Sequence, residues 1–219
     1  MARIEALRDS LRDAGYEPVD SARYYQFRRD FEYRGFVRTV KVDLLAPLPA
    51  DPELRRLLKF DSRRVRPLAV ERIHAHTTPE SITVGEGLLG LDLEGDEGGV
   101  RVFIPHPFTY LVLKLHAYRD RKDDPATNFG RHHAFDLYRT VAMITESEWE
   151  QMDGLRARYG QSEPIREAAR IVRDLFGDES AVGIVALREE ARSTGFADLD
   201  VAGFLRDLCV TVAEAPSPA

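Results

Sequence analysis

The residues best suited to chemistry lie in one stretch, residues 105–144, where basic side chains are closely spaced. On a helical wheel Lys114 and Arg121 lie close together, and Leu111 and Leu115 form the buried stripe beside them. We therefore expect Lys114 at the edge of a core. Its ammonium group either reaches water along the apolar surface or binds a phosphate group.

Further cations surround the loop that follows this helix, namely Arg119, Lys122 and Arg131 in addition to Arg121. Arginine offers a planar fork to phosphate oxygens, so this set is suited to bind a polyphosphate. Cations near the C-terminus of a helix also complement its dipole without any ligand. The pattern leaves both interpretations open.

Two acidic residues are candidates for acid/base or metal chemistry. Asp136 either pairs with Arg139 one turn further on, or it faces Lys114 across a helix pair and orients the lysine or accepts a proton. Asp43 ends the apolar segment VKVDLL and shares a strand face with Lys41, which suggests a cleft. Asp43 is either a strand-edge residue or a ligand of Mg²⁺, which binds carboxylates together with water and substrate phosphates.

The elements that must position these residues follow from hydrophobic periodicity and turn signals. We predict a helix over residues 2–15, a hairpin of strands 22–31 and 36–45 around Tyr33-Arg34-Gly35, a short helix over 53–60, and strands over 82–93 and 100–104. Further helices are predicted over 107–122, 131–144, 146–159, 163–176, 178–192 and 198–213. Thr145 and Glu148 fit a capping box at the start of one of them.

This order of elements predicts an α+β fold, in which a small mixed sheet with flanking helices is followed by a helical domain. We place the α/β domain at residues 1–105, the helical domain at 106–213 and a frayed tail at 214–219. A basic segment that includes Arg63, Arg64 and Arg66 has no clear assignment.

Composition excludes several classes of protein. With 219 residues, 43% of them hydrophobic, the chain can bury one or two cores, and no segment approaches the ~20 apolar residues of a membrane span. The single cysteine, Cys209, and the charged N-terminal segment favour a reducing cytoplasm. The net charge of -6 argues against coating nucleic acid through bulk charge but allows a local basic site.

Three segments together resemble a known family: VKVDLL, IPHPFTYLVLKLHAYRDRKDDP and HHAFDLYRTV. They are similar to the nucleotidyltransferase-fold proteins related to the AbiEii abortive-infection toxins of bacterial toxin–antitoxin systems. Residues 114–121 match the family's K-L-x-A-x-x-x-R segment, and Asp136-Leu137 match its D-L pair. The resemblance covers about residues 1–145.

The resemblance implies transfer of a nucleoside monophosphate from a nucleoside triphosphate to a tRNA or protein acceptor, with a cognate antitoxin as a further partner. It assigns Lys114 and Asp136 as the essential lysine and aspartate, and Asp43 as the carboxylate that binds Mg²⁺. The nucleotide-binding set would be Lys41, Lys114, Arg119, Arg121, Lys122 and Arg131.

In one respect the chain departs from the family, because the acidic D-x-D-like strand that normally precedes the first helix is not found. Either Met1 lies downstream of the true start, or the protein is a degenerate member, or a partner completes the site. Three hypotheses stay open: an active transferase, a non-catalytic nucleotide- or partner-binding protein, and a domain whose charged cluster is solvated surface. Magnesium dependence separates the first two.

Overall fold

The structure of the protein is a computed structural model that describes residues 2–49, 51–56, 59–61, 64–66, 74–95, 98–196 and 198–212. Small β-sheets occupy the first half of the chain, and helices dominate the second. This mixed α+β composition is the one predicted. The chain divides into one compact unit within residues 1–81 and a second within residues 82–219.

The first unit begins with a helix and an antiparallel sheet. Its elements are α1 (Ala2–Asp13), β1 (Glu17–Pro18), β2 (Gln26–Tyr33) and β3 (Phe36–Asp43). Gly15 has a φ of +74° and ends the predicted first helix, because its N–H bonds back to the carbonyl of Arg12 at 2.9 Å. The strands pair in the order β1-β2-β3.

The β2–β3 hairpin turns at Arg34 and Gly35, as predicted. Both residues have positive φ values, 52° and 77°, which is the requirement of the tight two-residue turns that match strand twist. The register pairs Tyr33 with Phe36 beside the turn and Gln26 with Asp43 at the other end. The first strand of the hairpin, β2, begins at Gln26 rather than at the predicted residue 22.

A second, mixed sheet completes the first unit. It consists of β4 (Leu45–Ala46), β5 (Lys59–Asp61), β6 (Arg64–Arg66) and β7 (His76–Thr77), with α2 (Pro52–Arg56) inserted. The strand order is β4-β7-β6-β5, and β4 runs parallel to β7 whereas the other pairs are antiparallel.

The predicted helix over residues 53–60 is too long. α2 ends at Arg56, residues 57–58 lie outside the described ranges, and Phe60 belongs to β5. There its backbone pairs with Val65 of β6, so strand pairing replaces the expected helical turn. In the unassigned basic segment Arg64 and Arg66 belong to β6, whereas Arg63 is not described.

The second unit holds a hairpin and the helices. Its elements are β8 (Leu89–Gly95), β9 (Gly98–Ile104), α3 (Pro107–Arg121), α4 (Arg131–Met143), α5 (Glu146–Tyr159), α6 (Glu163–Leu175), α7 (Val182–Ser193) and α8 (Val201–Val212). A 3₁₀ segment, Pro125–Gly130, connects α3 to α4. All six helices expected in this part of the chain are present, and α7 starts later than residue 178 because Asp178 accepts the Ser180 N–H at 2.7 Å in a local turn.

The strand expected over residues 82–93 begins only at Leu89. Residues 82–88 form turns in which the Glu86 N–H bonds to the carbonyl of Thr83 at 2.9 Å. Gly87 has a φ of +56° and lies against the His106 ring, so a side chain there would be both strained and crowded. These contacts pull residues 82–88 towards the helices.

The core of the second unit forms around α3. Phe108, Leu111, Val112 and Leu115 of this helix are fully buried among residues of the neighbouring helices. Thr109 donates its hydroxyl to the carbonyl of Thr83 at 3.0 Å. The division of the structure therefore falls at residue 81, whereas the domain boundary was expected near residue 105.

Two further expectations concern the C-terminal tail and membrane-spanning helices. The predicted tail, residues 214–219, lies outside the described residues. Across the described ranges, each helix is too short or too polar to cross a bilayer.

The start of α5 yields a stability prediction. Thr145 accepts the Glu148 N–H, and the Glu148 carboxylate accepts the Thr145 N–H at 2.8 Å, so the predicted capping box is confirmed. Thr145→Ala should lower the free energy of unfolding by about 1 kcal/mol, because a helical N–H loses its partner. Urea unfolding followed by the fluorescence of Trp149, the single tryptophan, would measure this.

Gln151→Ala is the matched control, since Gln151 is exposed in the same helix. Equal urea midpoints for Thr145→Ala and the unmodified protein would contradict the assigned role of the cap.

Candidate functional site

The strongest candidate site lies where α3 packs against α4. The Lys114 ammonium donates a hydrogen bond to Asp136 Oδ2 at 2.5 Å. The two side chains are 20% and 25% exposed, so the ion pair lies at the edge of the core. Arg139 lies over the Phe135 ring instead, and of the two interactions considered for Asp136 the structure shows the one with Lys114.

The start of α3 is fixed by its own sequence. His106 caps the helix, because its Nδ1 accepts the Phe108 N–H at 3.1 Å, and Pro107 supplies a first helical residue that needs no hydrogen bond. From this start, Leu111 and Leu115 face the core and Lys114 falls at its margin.

The start of α4 is fixed by a glycine. Gly130 has a φ of +63°, and a Cβ atom there would lie 3.1 Å from the Cβ atom of Arg121. A glycine therefore allows the beginning of α4 to approach the end of α3. Arg121, at the end of α3, approaches Gly130 at the start of α4, and Lys114, earlier in α3, bonds to Asp136, later in α4. The two helices therefore run antiparallel, and all four residues lie along the interface between them.

Tyr110 adds a second contact to the lysine. The Lys114 Nζ atom lies 4.9 Å from the centre of the Tyr110 ring, within the range of a cation–π interaction. Burial alone would lower the pKa of Lys114, but the hydrogen bond to Asp136 and the interaction with Tyr110 outweigh it and raise the pKa above its usual value. Lys114 therefore remains a positive charge at neutral pH.

Two histidines of α4 belong to the same electrostatic neighbourhood. Burial is the main cause that lowers the pKa of His132, and the charge of Lys114 adds to it. Burial, the adjacent His132 and the charges of Lys114 and Arg121 lower the pKa of His133 to about 3. Both imidazoles are therefore neutral at pH 7, and both His133 ring nitrogens are buried without a hydrogen-bond partner among the described residues.

Several cations expected to bind phosphates are engaged with carboxylates. Arg119 bonds to Asp120 and Glu167, Lys122 to Asp123, and Arg131 to Glu189. Arg121 differs, because it donates to the carbonyl of Ala117 at 3.4 Å and has no carboxylate partner in the described part of the chain. By this criterion Arg121 is the cation best placed to meet an anion, whereas Lys114 would bind one while it stays paired with Asp136.

The remaining expected site residues lie in the first unit. Asp43 Oδ1 accepts a hydrogen bond from Gln26 Nε2 at 2.7 Å, and Lys41 is exposed opposite Arg28. Both project from one face of β3, as the alternation predicts. The convergence of Asp43 with Lys114 and Asp136 stays a prediction.

The described residues offer few ligands for the expected Mg²⁺ ion. Asp43 offers one carboxylate, which Gln26 already contacts. Among the described residues, no three His, Cys, Asp or Glu side chains form a group that could hold a metal ion. These residues do not by themselves fit a resident magnesium ion, and we assign no chemical step to one.

Two members of the site, Tyr110 and His133, were not among the expected site residues. Tyr110 lies one turn before Lys114, and this four-residue spacing on one helix face is a signal that could have identified it. For His133 no such signal exists, because the burial of its ring depends on how α4 packs.

Comparisons with known protein families, curated proteins and solved structures find no match to this chain.

The unpartnered His133 ring leads to a prediction about acid stability. The unfolded chain binds a proton at His133 near pH 6.5, whereas the folded chain does so only near pH 3. Acidification from pH 7 to pH 5 therefore favours the unfolded state, and this histidine contributes a loss of up to ~2 kcal/mol.

His133→Leu should raise the free energy of unfolding by about 1 kcal/mol at pH 7, because no polar nitrogen is then buried without a partner, and it should weaken the pH dependence. Urea unfolding at pH 7 and pH 5 would measure both effects, with Gln151→Ala as the control, because Gln151 is exposed in α5 and does not titrate. An unchanged pH dependence in His133→Leu would show that another group causes the acid sensitivity.

Proposed function

We propose that the protein binds the phosphate groups of a nucleotide at the Lys114–Asp136 pair and is a nucleotidyltransferase-superfamily protein. The observation that carries this proposal is the geometry of the lysine. Its charge is held at the edge of the core by Asp136 and Tyr110, and Arg121 on the same helix has no carboxylate partner among the described residues.

Stability alone explains this ion pair poorly. A pair that is only partly exposed loses much of its attraction to the cost of desolvation, so its net contribution to folding is small. The ammonium group has three N–H donors, and Asp136 takes one of them. The remaining donors are available to phosphate oxygens.

The proposed roles follow from the charge and shape of each group. Lys114 supplies a fixed point charge, and Arg121 supplies a planar fork for a second phosphate. Asp136 orients Lys114, and the raised pKa of the lysine excludes it as a general base near neutral pH. This division of roles suits phosphoryl transfer, which relies on positioning and charge neutralisation.

In the proposed reaction a hydroxyl oxygen of an RNA or protein acceptor attacks the α-phosphorus of a nucleoside triphosphate. A new P–O bond forms, the bond to the β-phosphate bridging oxygen breaks, pyrophosphate leaves and the hydroxyl proton passes to a base. Support for this step comes from the match of residues 114–121 and Asp136-Leu137 to the family pattern. A cytoplasmic location, magnesium dependence and an antitoxin partner are proposed on the same resemblance.

A second candidate is a protein that binds a nucleotide without transferring it. The carboxylate partners of Arg119, Lys122 and Arg131 favour it, because they leave fewer cations for a triphosphate. Transfer of label from an α-labelled triphosphate to RNA or protein would support the first candidate. Binding without transfer would support the second.

Nucleotide binding can be tested by thermal unfolding with each of the four nucleoside triphosphates, with and without Mg²⁺. A ligand that binds only the folded state should raise the melting temperature by roughly 5 to 10 °C at about 100 times its Kd. Lys114→Gln should abolish the rise, because glutamine keeps a donor for Asp136 but lacks the charge.

Lys122→Ala is the matched control, since Lys122 follows α3 and is already paired with Asp123. It should retain most of the rise. The proposal fails if no triphosphate raises the melting temperature, or if Lys114→Gln responds like the unmodified protein.

A further inference from the structure

The β2–β3 hairpin of the first unit has one face on which aromatic and arginine side chains are interleaved. The register places Phe31 opposite Arg38 and Tyr33 opposite Phe36, while Arg29 lies on the same face nearer the root of the hairpin. We refer to these five residues as the aromatic–arginine face.

This face becomes more exposed towards the turn. Phe27, at the root of the hairpin, is 4% exposed, whereas Phe31, Tyr33 and Phe36 are 38%, 52% and 66% exposed. The root is therefore packed as in an ordinary core, and the outer part presents three large rings to solvent. Aromatic side chains clustered in this way mark a site of interaction more often than isolated exposed ones do.

The carboxylates of the hairpin lie on the face opposite to the aromatic–arginine face. The carboxylates of β2, Asp30 and Glu32, project from the opposite face, where Asp30 accepts a hydrogen bond from Thr39. The aromatic–arginine face carries no carboxylate from either strand. Neither Arg29 nor Arg38 forms an ion pair with any residue that the structure describes.

The arginines also lie over the rings. Arg38 is 5.8 Å from the centre of the Phe36 ring, and Arg34, in the turn, is 5.1 Å from that of Tyr33. Cation and ring therefore occupy the same small surface. A ligand that combines a flat aromatic group with a negative charge would satisfy both kinds of side chain at once.

We propose that the aromatic–arginine face, together with Arg34, binds single-stranded nucleic acid. Unpaired bases stack on Phe31, Tyr33 and Phe36, and the arginines neutralise the adjacent phosphates. A duplex is a poorer ligand, because the faces of its bases are covered by their neighbours. The inference rests on residues 26–43 and not on the proposed nucleotide site.

Self-association is disfavoured by the same charges. A symmetric dimer buries the same surface patch of both copies, and it would bring arginines against arginines with no carboxylate between them. The chain carries a net charge of -6, so attraction of nucleic acid to the protein as a whole does not explain binding. Affinity must come from this local surface.

The test is fluorescence anisotropy of the full chain with labelled 12-mers of oligo(U) and oligo(dT) and with a 12-base-pair duplex. We expect both single strands to bind more tightly than the duplex, with a slope of log K against log salt of about -2 for three neutralised phosphates. Tighter binding of oligo(U) than of oligo(dT) would identify RNA as the natural ligand. Equal binding would show that the surface recognises what both strands share, namely unpaired bases that stack on the rings.

The double substitution Tyr33→Ala and Phe36→Ala should lower the affinity at least tenfold, and Arg38→Ala should make the salt slope shallower by about 0.7. Val37→Ala is the control, because Val37 is 75% exposed on the other face of β3 and should leave affinity unchanged. Circular dichroism should show equal melting temperatures for these exposed variants.

Three results would overturn the inference. One is binding that is equally tight for the duplex or unaffected by the double substitution. Another is equal competition by an oligo-aspartate peptide, which would identify a surface that recognises charge alone and fits an acidic protein. The third is no binding of any oligonucleotide together with a dimer that the double substitution dissociates, which would identify a second copy as the occupant.

Discussion

The burial of α3 is the constraint on which the second unit depends. Other helices pack on this helix, so each polar side chain that it brings to the core margin must find a partner on a surrounding element. The partners are spread around it: Thr109 bonds to Thr83, Lys114 to Asp136, His116 to the carbonyl of Pro164 and Arg119 to Glu167. These bonds fix the positions of α4 and α6 relative to α3 and restrict rotation of α3 about its axis.

Among these contacts, the one made by Lys114 is best suited to function. The bonds of Thr109 and His116 involve side chains that are almost fully buried, whereas the side chain of Lys114 is 20% exposed. Arg121, two turns further along α3, has no carboxylate partner in the described part of the chain. The same packing that orders the core thus fixes a positive charge at its edge, which is what recognition of phosphate requires.

Much of the architecture could be predicted because it depends on local sequence. The capping box at Thr145 and the glycine after α1 act within a few residues of themselves. Partners distant in sequence could not be predicted. Glu167 and Glu189 neutralise Arg119 and Arg131 only because α6 and α7 pack nearby, and no spacing rule connects them. The local pattern of residues 82–88 favours a strand, and the turn found there could not be predicted because its contact with His106 is a tertiary one.

We propose that nucleotide phosphates bind where α3 meets α4. The most direct measurement is a titration of the ¹⁵N-labelled protein with a nucleoside triphosphate, followed by amide chemical shifts in two-dimensional NMR. We expect saturable shifts concentrated between Lys114 and Arg121 and between Gly130 and Asp136, with smaller changes elsewhere. Shifts confined to other elements, or none at millimolar triphosphate, would contradict it.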